Sequence, residues 1–272
     1  MDPLPISVCL ISGAEERRIG RALASVAGWA ADIVVVLNEE VRDRTEEIAL
    51  SHGARVFREP WKGHVAQKNS AAAKASQPWI LGLDADEVVS DALKEEIRRR
   101  LTDPAAIDGI QAFSMPRLTF HLGAWIRHGD WYPDRKTRLW RRGAGNWEGV
   151  DPHDKLVATG RVEPLASDLL HYSFTDLSHH LRKVDSYSGL FVAGHLRAGK
   201  RFRGVDLVFR PAWRFFRGYV LRRGFLDGWA GFCVAGMVAF ETFVRYAKRF
   251  EADRKPTQDG GVTPRGSSGP AR

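Results

Sequence analysis

The residues with the clearest chemical potential in this chain of 272 residues form one short run, Leu83-Asp84-Ala85-Asp86-Glu87. In extended backbone Asp84 and Asp86 project to the same side. Two like charges held so close raise each other's pKa unless a cation neutralises them. Their oxygens are hard donors that suit Mg2+ or Mn2+, and such ions bridge readily to substrate phosphates. An acidic pair also decorates many solvated loops, so its meaning depends on the elements that hold it.

Those elements read as alternating strands and helices. Strands are expected at 6–11, 32–37, 55–57 and 79–83. Helices are expected at 17–26, 45–52 with Gly53 just past the end, 64–75, and from a Ser90 cap to Leu101. This alternation, with nearly continuous apolar strands, predicts an α/β fold: a mostly parallel sheet flanked by helices. Such sheets bind ligands beyond the carboxyl ends of their strands. Asp84 directly follows the 79–83 strand, so it is expected to face that crevice. Residues 109–159 are rich in Trp, Arg, Gly and Pro and read as irregular loops with a mixed strand or two, one of them at 136–140.

Helical pattern returns from Asp176, first to about Gly199 and again from Pro211. Residues 197–223 hold nine Lys or Arg against the single acid Asp206, which accounts for the whole formal charge of +8. A local surplus of this kind points to a local anionic surface, phospholipid or nucleic acid. Arg210, Arg214 and Arg217 lie on one helical face, and Trp213, Phe216 and Val220 on another, the pattern of a helix lying on a membrane. The alternative is a helix packed back on the rest of the chain with its arginines solvated. The apolar stretch 228–240 is 13 residues long, short of the ~20 needed to span a bilayer, so it predicts an interfacial or buried helix. Cys9 and Cys233 lack metal-type spacing and are expected to be buried, inert thiols. The first residues lack the basic region of an export signal, which predicts a cytoplasmic protein.

Five stretches carry a resemblance to a known family. They are 6–16 with its Glu-Glu turn, 34–49, 58–69, the Asp-x-Asp at 83–87, and 131–142 followed by Asp151-Pro-His-Asp154. Together they resemble family 2 glycosyltransferases, and within these the group that extends the inner core of lipopolysaccharide. The chain departs from the family pattern at Ala14 and at 37–40, where Asn38 keeps an amide able to meet a nucleobase.

The resemblance implies the GT-A (Rossmann-like) fold with a helical C-terminal extension. It implies a nucleotide-sugar-binding and catalytic domain at 1–170; the basic helical pattern adds a membrane-proximal part at 171–254, and the Gly/Pro/Ser-rich composition predicts a disordered tail at 255–272. It implies inverting transfer from a nucleotide sugar, UDP-sugars favoured, to a lipid-linked saccharide at the inner face of the cytoplasmic membrane. The donor would be bound by Ser12, Glu16, Asn38, Gln67, Lys68 and Asn69, with Asp84, Asp86 and Arg138. Asp86, Asp84 and His153 would hold the divalent metal, Mg2+ or Mn2+. Arg135 and Arg141 could add charge near the diphosphate. The general base would be Asp154, with Asp134 and then Asp151 as alternatives, although each Asp can equally cap a turn. Trp125, Trp131, Tyr132 and Trp147 would form an acceptor platform or a small core.

A nucleotidyltransferase also needs a strand-end acidic pair and a metal, but no Gly-rich phosphate loop follows the first strand. The high pI admits a nucleic-acid-binding protein. The basic stretch, however, carries large apolar residues and no nucleic-acid motif, so no nucleic-acid partner is expected.

Overall fold

The computed structural model describes residues 2–150, 154–199 and 202–254. Strands β1 (Leu4–Ser12), β2 (Ala30–Asn38), β3 (Arg55–Glu59) and β4 (Trp79–Gly82) pair in parallel in the order β3-β2-β1-β4. Helices α1 (Ile19–Ala24), α2 (Thr45–Ser51) and α3 (His64–Ala73) connect them. These strands are apolar almost throughout because both faces are covered. Ile6, Val8 and Leu10 turn to one core with Ile19 and Leu23, while Cys9, Val34 and Val36 turn to another with Ala71 and Trp140. Gly53 closes α2 at φ +77°.

After β5 (Glu87–Val89) comes α4 (Asp91–Thr102), capped as expected by the Ser90 hydroxyl, which accepts from Leu93 N. The next segment corrects the expectation of irregular loops. It contains β6 (Ile110–His121), the longest strand described, with β7 (Ala124–Ile126), β8 (Asp134–Arg141), the hairpin β9 (Gly145–Glu148) and β10 (Lys155–Ala158), β11 (Arg161–Pro164) and β12 (Leu169–His171). The main sheet continues β4-β8-β6-β12-β5, with β8 antiparallel to both neighbours. Pro116 within β6 lacks an N–H to donate to the ladder. It is accommodated at a seam: β11 pairs with β6 up to Ser114 and β12 begins pairing at Arg117.

The C-terminal part is α5 (Leu177–Arg197), α6 (Gly204–Phe216) and α7 (Gly228–Arg254). Pro211 lies inside α6 instead of opening it. α7 runs for 27 residues, about twice the apolar stretch, because the ion pairs Glu241–Arg245 and Arg249–Asp253 carry it onward at i,i+4 spacing. Gly231, Val234, Ala235 and Val238 form its buried stripe, and Cys233 falls off that stripe and is exposed, contrary to expectation. A Cβ on Gly231 would sit 1.9 Å from the Gly224 carbonyl oxygen, so only glycine lets α7 start against the preceding turn.

α6 is oriented with its apolar side outward. None of its residues is buried, and Val208 and Phe209 are 73% and 65% exposed. Arg210 pairs within the helix with Asp206, while Arg214 and the arginines just beyond the helix end turn back. Arg214 and Arg217 pair with Asp130 of the catalytic part at 3.3 and 2.8 Å, joined by Arg222 at 3.3 Å. His128 adds a second tie, donating its backbone N–H to Asp227 at 2.8 Å.

Candidate active site

The site begins where β1 and β4 end. Leu83 N donates to Cys9 O, which carries β4 to the sheet edge and delivers Asp84 beyond it. Asp84 receives Lys68 Nζ from α3 at 2.8 Å and Arg138 Nη2 from β8 at 2.6 Å. Lys68 also reaches Asp154 Oδ2 at 2.7 Å. Glu87 is fully buried and accepts from Arg138 at 2.8 Å and Arg117 at 3.3 Å. The Trp147 ring lies beneath both cations, 4.4 Å from Lys68 Nζ and 5.1 Å from the Arg138 guanidinium carbon. Gly82 makes room for that ring, since a Cβ there would come within 2.7 Å of it.

This network changes the expected role of the acidic pair. Burial pushes the Asp84 carboxyl up, but Arg138 and Lys68 outweigh it and hold the group well below the usual carboxylate range. Asp84 therefore stays ionised on protein cations alone, and each of its oxygens already has one. Asp86 is placed differently. Its Oδ2 lies 3.6 Å from His171 Nε2 and 4.0 Å from Arg18 Nη1. Burial raises its pKa, and the His171 imidazole together with the charge of Lys183 more than reverses this.

His171 reaches this position because β12 pairs antiparallel with β5, bringing it opposite Glu87. Its Nδ1 lies 3.4 Å from Thr119 Oγ1. With its proton on Nε2 the ring faces the Asp86 carboxylate as a donor, whereas a tautomer donating Nδ1–H to that hydroxyl would free the Nε2 lone pair for a cation held beside Asp86. One carboxylate and one imidazole fit a divalent ion that takes its remaining oxygens from a diphosphate and water. Among the described residues no third His, Cys, Asp or Glu joins them.

A cavity of about 290 Å3 at this edge is lined by Ser12, Trp61, Lys68, Asp84, Asp86 and Asp154, among others. Of the other expected donor residues, Glu16 accepts from Arg44 N at 3.2 Å and Asn38 accepts from Glu40 N at 3.2 Å in its own turn; neither lines the cavity. Gln67 is fully buried, and its amide atoms have no hydrogen-bond partner among the described residues. Asn69 is engaged with the Trp147 backbone, donating to O and accepting from N at 2.9 Å each. It positions the ring instead of facing the cavity. Arg141 donates to the carbonyls of Ile107 and Ile110, while Arg135 donates to that of Leu165. Asp151 and His153 lie outside the described residues.

Asp134 pairs with Arg117 at 2.7 Å and Lys136 at 3.0 Å and lines an adjoining cavity of about 330 Å3. His171 and Tyr187 border both cavities, so the two meet beside Asp86. The second cavity includes Trp131, Phe174 and Lys183, and α7 contributes Glu241. His171, Arg117, Lys183 and Tyr187 were not singled out in the sequence. They come from short or Pro-interrupted strands and from a helix whose inward face only the packing reveals.

Residues 7–158 match the model of glycosyl transferase family 2. An uncharacterized glycosyltransferase of Rickettsia bellii is 32% identical over 253 residues, which is 89% of this chain and 85% of that one. The lipopolysaccharide core biosynthesis glycosyltransferase LpsC of Rhizobium meliloti is 28% identical over 270 residues, 96% of this chain and 98% of its own. Among solved structures, glucosyl-3-phosphoglycerate synthase from Mycobacterium tuberculosis, in complex with Mg2+ and uridine diphosphate, is 25% identical over 44% of each chain, with a TM-score of 0.33. With a mostly parallel sheet whose β1 and β4 deliver an Asp-x-Asp to its edge, and a family match spanning both, this chain belongs to glycosyl transferase family 2 and has the GT-A fold.

Proposed function

We propose that this glycosyltransferase moves a sugar from a nucleoside diphosphate sugar, a UDP-sugar first among those to test, to a saccharide carried on a lipid, such as a lipopolysaccharide core. The observation that carries the reading is the convergence of Asp84, Asp86, Lys68, Asp154 and His171 around one cavity at the carboxyl ends of β1 and β4.

The reaction is a single inverting displacement. The acceptor oxygen bonds to the anomeric carbon as the bond to the diphosphate breaks, and the electron pair leaves with the diphosphate. Asp154 takes the acceptor proton. Lys68, held between Asp84 and Asp154, provides fixed positive charge in a site largely shielded from water. Asp86 and His171 would hold a divalent ion, which when bound offsets the charge of the diphosphate.

Membrane contact is supported by α6. An apolar face turned to solvent next to an arginine collar suits the boundary between headgroups and acyl chains. Val205, Val208, Phe209 and Trp213 are exposed on α6, and Trp229 at the start of α7 is 84% exposed. By length and composition the helical stretch 224–254 also meets the requirement for a spanning helix. Its stripe packed on the catalytic part and its charged second half support a helix lying at the surface.

The test is turnover and thermal shift with UDP-, GDP-, ADP- and dTDP-sugars, with and without Mn2+. Release of nucleoside diphosphate and inversion at the anomeric centre, read by NMR of the product, are the expected outcome. Release of pyrophosphate would replace the reading with nucleotidyl transfer.

A further inference from the structure

The second cavity is lined by one cation that no carboxylate matches. Around it Arg117 is matched by Glu87 and Asp134, Glu241 by Arg245, and Asp130 by three arginines. Lys183 is the exception. Its ammonium donates to Ser173 O at 3.1 Å and lies 5.0 Å from the Phe174 ring centroid, and among the described residues no carboxylate stands within ion-pair distance. Burial pulls its pKa below the usual lysine value, and Asp86 acts on it only at longer range. A partly desolvated cation without a counterion is costly unless a ligand supplies one.

The wall beside Lys183 is flat and uncharged. Trp131 and Phe174 stack with centroids 5.5 Å apart, and Phe174 stacks on His180 at 4.2 Å. His180 faces the His121 ring nitrogen at 3.2 Å, and burial keeps both imidazoles neutral near pH 7. A shelf of this kind accepts the apolar face of a sugar ring, and the cavity of about 330 Å3 has room for one or two sugar units.

We propose that this cavity is the acceptor subsite and that Lys183 reads a carboxylate or phosphate on the acceptor saccharide, whose ring rests on the Trp131–Phe174 shelf. The proposal rests on the transferase reading and deepens it: the acceptor is an acidic saccharide, recognised before the sugar is added. Lys183 also borders a larger space of about 700 Å3 that Asp84, Arg138 and Asp154 line, so its part in reading the acceptor is separated from any part in binding the donor by titrating UDP alone.

The experiment titrates the full-length protein with glucuronate, glucose 6-phosphate, glucose and inorganic phosphate, following tryptophan fluorescence, and separately with UDP plus Mn2+ by calorimetry. Wild type and Lys183→Met and Lys183→Arg variants are compared. Glucuronate or glucose 6-phosphate should bind at least about tenfold more tightly than glucose, the difference vanishing in Lys183→Met and returning in Lys183→Arg. A preference for one of the two acids tells carboxylate from phosphate. UDP affinity should stay within about threefold in both variants. Equal binding of acidic and neutral sugars, binding of inorganic phosphate as tight as that of the sugar acids, or a Lys183→Met loss confined to UDP would each overturn the assignment. Absence of UDP binding in folded wild type would instead count against the donor site, independently of Lys183.

Discussion

The Lys68 ammonium stands 2.7 Å from Asp154 Oδ2, joining α3 to a residue 86 positions further along the chain. Because the same ammonium holds Asp84 at 2.8 Å, the proposed base and the acidic motif share one cation. Asparagine at 154 would leave that cation on Asp84, so the substitution should separate proton transfer from donor binding. Asp154→Asn is expected to lower kcat about a hundredfold or more with UDP affinity within about threefold. Asp134→Asn should cost less than about tenfold, because that carboxylate lines the adjoining cavity and not the one that holds Asp84 and Asp86. Steady-state kinetics on the two variants decides the matter, and the opposite ranking would move the base to Asp134.

Arg138 is buried and is the partner of the buried Glu87 and the partly buried Asp84, so Arg138→Met should destabilise the protein by about 3–5 kcal/mol, read from urea unfolding. Acid unfolding should change with it. Asp84 has a lower pKa folded than unfolded, so its contribution is complete above the ordinary carboxylate value and is lost as pH falls through the folded value. In Arg138→Met the folded value moves up toward the unfolded one, so that acid-side loss should be smaller and should be complete at higher pH. An unchanged acid profile would show that Arg138 does not set the charge of Asp84.

Asp86 and His171 should act together on a divalent ion. Asp86→Ala is expected to remove the Mn2+-dependent part of the thermal shift with UDP, and His171→Ala to weaken Mn2+ by at least about tenfold. A full metal response in His171→Ala would place the second ligand elsewhere.

His180 gives a different pH signature. Burial, with the neighbouring His121 and Lys183, lowers its pKa from 6.5 to about 4. The unfolded chain thus binds a proton between those values that the folded chain does not. Stability should be complete above about pH 6.5 and decline as pH falls toward 4. His180→Phe should flatten that stretch of the profile in urea denaturation measured at stepped pH. A slope equal to wild type would remove His180 as its source.

On the membrane side, Phe209→Ser combined with Trp229→Ser should reduce co-sedimentation with anionic vesicles about tenfold or more, given ~1.5–3 kcal/mol for each large side chain buried. Turnover of a soluble acceptor fragment should change little. Unaltered sedimentation would direct attention to a second copy of the chain as the cover for this face.

Much of the donor half was legible. β1, β2 and β4 are apolar because helices cover both faces, and Gly53, Pro78 and Ser90 mark the boundaries. Asp84 and Asp86 followed from their place after β4. β6 was hidden because Pro116 resembles a break, and only the β11/β12 seam shows why it is tolerated. His171 was hidden for a related reason: a three-residue strand has almost no pattern, and its register against β5 is a property of the assembled sheet. For α6 both faces were visible, yet which one points inward is decided by Asp130, 87 positions before Arg217.

That outward face has a geometric consequence. Asp130 belongs to the wall of the second cavity and also anchors the arginines of α6. Wherever α6 lies on a surface, the cavity is carried at a set height above it, in one orientation. On the proposed lipid-linked acceptor, saccharides of different length would present their tips at different heights, and the fold would then act as a ruler that selects for reach as well as for chemical groups.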